Sequence, residues 1–177
     1  PPSGTLPQFY WLWAPLNFAD RVSFFHTNDD GEGEGWNRRG VIDTIGGDAI
    51  DYDAIDYTVR YTSGTRRVSG LDAKLTPDGS VTLAIEPVGP DFLMSGLGYG
   101  HPVWGHGLDH GGLETGYDTI NVASAPPNEQ LHWHIQAFSR ATLMINGTAH
   151  QGHGVLEQLL VGPHAPSGFS ELLDMAD

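Results

Sequence analysis

The chain has 177 residues, with 8 Lys+Arg against 22 Asp+Glu, a formal net charge of −14 and no cysteine. Disulfides, thiolate metal sites and thiol nucleophiles are thereby excluded, and so much negative charge disfavours phosphate backbones and anionic lipid surfaces. A chain this long makes a single domain burying about 70% of its unfolded surface, and 24 Gly and 12 Pro beside 39% hydrophobic residues favour strands and tight turns.

Taken in chain order, the hydrophobic pattern predicts strands near residues 8–18, 21–28, 36–45, 55–62, 66–76, 80–88, 93–98, 112–120, 130–145 and 148–162. Period-two alternation is plainest where Tyr57, Val59 and Tyr61 alternate with Thr58, Arg60 and Thr62, and in Val81, Leu83, Ile85 and Leu131, Trp133, Ile135, Ala137. The separators Asn28-Asp29-Asp30-Gly31, Ser63-Gly64, Pro77-Asp78-Gly79 and Asn146-Gly147 are hairpin turns. Only Ser170 to Ala176 reads as helix. Short connections make the fold class all-β: an antiparallel, up-and-down, lipocalin-like barrel, or a strongly bent sandwich, with a short C-terminal helix. Residues 87–112, rich in Gly and Pro, break the alternation and read as a long excursion.

The pentapeptide Asp48-Ala49-Ile50-Asp51-Tyr52 is repeated at once as Asp53-Ala54-Ile55-Asp56-Tyr57. It reads as a duplicated surface loop. A calcium loop built from these aspartates, or from Asp29, Asp30, Glu32 and Glu34, is the alternative, although neither set has the twelve-residue spacing with its closing Glu.

Seven of the nine histidines fall between His101 and His153. His132-Trp133-His134 on a strand puts both imidazoles on one face about 7 Å apart, a spacing that suits a metal site or an acid/base pair. Asp109 and Glu114 are candidate carboxylate partners; surface histidines of no special role are the ordinary alternative. Between Gly98 and Gly112 the glycines are separated by Tyr99, His101, Trp104, His106, Asp109 and His110, residue types that bind apolar rings and move protons. Tyr99, His101, Trp104, His106, Asp109, His132 and His134 are expected to converge on one cavity. With both strand histidines facing inward, Trp133 and Ile135 would face outward.

Three stretches carry a resemblance: Phe9-Tyr10-Trp11-Leu12-Trp13-Ala14-Pro15-Leu16-Asn17-Phe18, then Gly98 through Gly107, then Gly154 through Phe169 with its Gly162-Pro163-His164-Ala165-Pro166-Ser167-Gly168-Phe169 end. Together they resemble the C-terminal half of a bacterial family of unknown function, itself similar to the carotenoid 1,2-hydratase and AttH-like, lipocalin-related superfamily. That resemblance implies one half of a two-barrel assembly and chemistry on large apolar molecules. Val103 stands where many relatives carry an acidic residue.

The resulting functional expectation is a barrel that binds an apolar, unsaturated small molecule and performs hydratase-, isomerase- or cyclase-type acid/base chemistry on it. His106, Asp109, His132 and His134 are the candidate catalytic residues, and Tyr99, His101, Trp104 and Trp133 the candidate ligand contacts. A non-catalytic lipocalin-like carrier is the first alternative. A metal-dependent barrel enzyme ligated by His132, His134 and one of His101, His106 or His110 is the second. No cofactor is implied. The expected partners are the hydrophobic small molecule and a second barrel domain or another copy, because Tyr10-Trp11-Leu12-Trp13 would otherwise expose an apolar patch. Nucleic acid and membrane insertion are not expected, and the absence of a basic, signal-like N-terminus points to the cytoplasm.

Overall fold

The computed structural model describes residues 8–94, 109–117, 119–127, 134–172 and 174–177. Their architecture is all-β and antiparallel. The strands are β1 (Phe9–Asn17), β2 (Arg21–Asp29), β3 (Arg39–Thr44), β4 (Ala49–Tyr52), β5 (Asp56–Tyr61), β6 (Val68–Lys74), β7 (Val81–Leu93), β8 (His134–Ile145) and β9 (Thr148–Val161). They form one sheet in the order β4-β3-β2-β1-β9-β8-β7-β6-β5.

That order forces curvature. The edge strands β4 and β5 are consecutive in the chain, joined only by residues 53–55. A flat sheet of this width would hold its edges about 38 Å apart, at ~4.8 Å per strand step, whereas so short a link spans at most ~15 Å. The sheet therefore curls into a half-barrel whose edges approach each other.

Alternation decides what lies inside. In β1, Tyr10, Leu12, Ala14 and Leu16 are buried in the core, with Phe25, Leu71, Leu83, Ile85, Leu143 and Leu156 from the strands around them. Trp11 and Trp13 take the outer face, where Trp11, Leu172 and Met175 pack against the cluster of Leu159 and Val161. Close approach of β1 to β9 depends on glycine: a Cβ on Gly154 would stand 2.0 Å from the Pro15 carbonyl oxygen. The hairpin at Asn146-Gly147 has both residues at positive φ, 48° and 82°, as a type I′ turn requires.

Four sequence expectations are corrected. The first copy of the repeat is not a loop but edge strand β4, paired with β3. Residues 112–117, 119 and 120 form no strand, and the preceding strand instead extends to Leu93. Its pairing with β8 shifts between Pro87 and Asp91, since Pro87 and Pro90 bring no amide donor to the ladder. The C-terminal helix is absent among the described residues of 170–177, where backbone groups bond outward. Ala176 exchanges hydrogen bonds with the Gly64 amide and the Thr65 carbonyl, while buried Arg66 donates to the carbonyls of Gly162, Glu171 and Asp174. Among the described residues no helix is long and apolar enough to cross a membrane.

Candidate functional site

Of the residues the sequence nominated, Tyr99, His101, Trp104, His106, His132 and Trp133 lie outside the described residues, as does Val103. Asp109 is exposed and accepts a 2.8 Å hydrogen bond from the Gly111 amide. Glu114 pairs with His110 at 3.1 Å. His134 is buried, but on the outer face. The register aligns Ile135 with Gln158 and Gln158 with Leu12, so Ile135 faces inward and His134, aligned with Leu159 and Trp11, faces outward. This reverses the expected orientation. The carboxylate that meets His134 is Glu157, at 3.0 Å from Nε2, and not Asp109 or Glu114. Glu157 lies two residues from Leu159 on the same face of β9 and also accepts from Gln136 at 2.5 Å.

The inner face holds a different cluster, assembled around Asp29. The alternation of β2 points Ser23, Phe25, Thr27 and Asp29 inward, and the carboxylate at the end of that series is almost fully buried. It accepts hydrogen bonds from the Thr27 hydroxyl, from Tyr57 at 2.6 Å and from Arg38 at 2.8 Å. His164 Nε2 faces its Oδ2 at 3.6 Å, too long for a hydrogen bond. Burial pushes the Asp29 pKa up, but His164, Thr27, Tyr57 and Arg38 together outweigh it and hold the group at about 2.

His164 reaches this place through a compact loop after β9. Its amide and carbonyl both bond to Phe169, Pro166 opens a single 3-10 turn (Ala165–Ser167), and Gly168 closes it at φ 74°. The Ala165 amide donates to the Gly31 carbonyl, which docks the loop on the β2–β3 hairpin. Gly33, at φ 88°, sits so close to Pro166 that a Cβ there would be 2.3 Å from the proline ring. The Tyr10 ring stacks on His164 with centroids 3.6 Å apart.

From His164 a chain of hydroxyls runs across the barrel. Nδ1 bonds the Ser167 hydroxyl at 2.7 Å, Ser167 bonds Tyr61 at 2.7 Å, and Tyr61 bonds Tyr10 at 2.8 Å. Ionised Asp29 can only accept, so in the neutral tautomers of His164 its field favours the proton on Nε2, with Nδ1 as acceptor. Donation then runs one way, Tyr10 to Tyr61 to Ser167 to His164. Burial raises the pKa of Tyr10, of Tyr61 and, with the added charge of Asp29, of Tyr57, so all three phenols keep their protons. A cavity of about 330 Å³ opens onto this network, lined by Tyr10, Asp29, Arg38, Tyr57, His164 and Ser167 among others.

The sequence reading missed this cluster because histidine density drew it to residues 101–153, and His26 and His164 were the two left out. The signal present was the Gly162 to Phe169 motif, noted only for its resemblance. As for metals, among the described residues no group of three or more His, Asp or Glu is placed to hold an ion. Asp51 instead pairs with Arg39, and Asp30 caps the amides of Glu32 and Glu34.

Fold and site together define a curled antiparallel β protein with an ionised Asp–His–Ser–Tyr network at the mouth of its inner face. The chain belongs to a family of unknown function (DUF8625), whose model matches residues 2–170. No curated protein matches it. Among solved structures it is similar to a protein from Nitrosomonas europaea provisionally named AttH, with a TM-score of 0.48 and 11% identity over 87% of this chain. The chain spans 40% of that protein's length.

Proposed function

We propose that this protein binds a small molecule in the inner cavity and performs proton-transfer chemistry on it, with His164 as the base. The observation that carries this reading is the cavity wall. It joins an imidazole, an ionised carboxylate and protonated phenols in one largely buried network, a setting in which proton transfer is efficient. The ligand best matched to it is amphipathic rather than wholly apolar: Arg38 and Tyr57 offer a polar end, and Val59 and Pro166 an apolar one. The sequence resemblance makes hydration or isomerisation of a carbon–carbon double bond the first reaction to test. In such a reaction His164 would take a proton and a tyrosine would return one.

The test is mass spectrometry of small molecules released from denatured, purified protein, followed by rebinding to wild-type and His164→Ala protein with turnover measured in deuterated water. Ligand binding with deuterium incorporation that depends on His164 is expected. Binding without any exchange would favour the carrier reading, and no binding at the cavity would overturn both.

A further inference from the structure

We propose that Ser167 is a nucleophile and that the cavity hydrolyses small carboxylic esters. This rests on the reading of the cavity as a ligand site. The argument starts from geometry. Ser167 Oγ lies 2.7 Å from His164 Nδ1, and the opposite ring nitrogen faces the buried Asp29 carboxylate at 3.6 Å. These are the three roles of a nucleophile, its base and the anion that orients the base, arranged in line and all lining one cavity. The order of ring nitrogens is the reverse of the usual serine hydrolase, with Nδ1 toward the serine, because His164 and Ser167 share one turn of chain.

Tyr61 contributes a second feature. Its hydroxyl donates to Ser167 Oγ at 2.7 Å, which holds the serine oxygen with its proton aimed at Nδ1. His164 Nε2 is buried and has no hydrogen-bond partner, so Asp29 is the group that stabilises an imidazolium when one forms. Arg38, paired with Asp29 on the same wall, is the cation of the cavity lining available to a developing oxyanion. At about 330 Å³ the cavity lies near the lower end of ligand-pocket volumes, which limits the acyl group to a short one.

The reaction balances without a cofactor. Ser167 Oγ attacks the ester carbonyl carbon while its proton passes to Nδ1. The tetrahedral intermediate expels the alcohol oxygen, which leaves with that proton. Water then attacks the acyl-serine, gives one proton to Nδ1, and the serine leaves as hydroxyl by recovering it. Ester and water become acid and alcohol.

The absence of cysteine makes the test clean. Wild-type protein, His164→Ala, Ser167→Ala and Ser167→Cys would be treated with an alkyl fluorophosphonate and assayed with p-nitrophenyl acetate. One adduct on Ser167 is expected by intact mass and peptide mapping, with labelling and ester turnover lost in Ser167→Ala and reduced at least a hundredfold in His164→Ala. Ser167→Cys carries the chain's single thiol, and its alkylation by iodoacetamide should be at least tenfold faster than in the Ser167→Cys, His164→Ala double variant. This comparison decides the matter if Ser167→Ala does not fold. No adduct on the wild type, an adduct elsewhere, or labelling and alkylation indifferent to His164 would overturn the proposal. A protein that binds ligand in the cavity but fails these tests loses the nucleophile and keeps the proposed binding site; one that also binds nothing there loses both.

Discussion

Two buried imidazole–carboxylate pairs stand on opposite faces of the same sheet: His164 with Asp29 inside and His134 with Glu157 outside. The outer pair is packed among side chains, with Trp11 against His134 and Gln136 on the second carboxylate oxygen. The inner pair is also buried, yet it borders a cavity and continues into a chain of hydroxyls. The difference teaches that a buried His–carboxylate contact is not in itself a site. What makes the inner one a candidate is that its remaining ring nitrogen is linked to groups a ligand can reach.

The comparison breaks most easily at Asp29. Asp29→Ala leaves the Arg38 guanidinium without its anion and two further donors, Thr27 and Tyr57, without their acceptor, so a loss of about 3–5 kcal/mol is expected in urea unfolding. An effect no larger than that of Glu157→Gln would abolish the distinction drawn between the faces. Gly154→Ala should injure both at once, by about 3 kcal/mol. Its Cβ meets the Pro15 carbonyl and pushes away the strand that carries Tyr10 on one face and Trp11 on the other.

Acid should separate the faces in order. The Trp11 indole donates to His26 Nε2 at 2.6 Å, and burial lowers the His26 pKa from its ordinary 6.5. The unfolded chain therefore binds more protons at His26 than the native one, and stability falls as pH drops through 6.5 and below. Asp29 behaves likewise at lower pH. Its contribution, about 2 kcal/mol for a shift from 3.8 to about 2, is present above pH ~4 and lost as pH falls through 2. Tryptophan fluorescence followed against tyrosine near-UV dichroism should show the outer face responding first, and simultaneous change would count against it. The smallest effect is expected from Glu157→Gln. It keeps an acceptor for Gln136 and weakens only the contact to His134, for about 1–2 kcal/mol in thermal unfolding with ester turnover unchanged.

How far each part was legible follows from the range of the interactions behind it. Strands β1, β2, β8 and β9 and the Asn146-Gly147 hairpin were readable because alternation and positive-φ turns are local properties. The orientation of His134 was legible too, since the alternation of Leu131, Trp133, Ile135 and Ala137 marks theirs as the core face, where pairing with β9 places Ile135; an inward His134 sets the chemistry of a cavity above that local pattern.

The repeated pentapeptide marks the boundary between what the sequence determined and what the tertiary structure decided. Identical residues become edge strand β4 and then the link into β5, with Ile50 53% exposed and Ile55 5% exposed. Composition, alternation and turn chemistry determined that this chain is an antiparallel β protein. Curvature decided the rest: Tyr61 and Ser167 stand 106 positions apart, and they meet with Tyr10 and His164 only because the sheet closes on itself. No local pattern encodes that meeting. It is set by the register of nine strands and by a link too short to let their edges part.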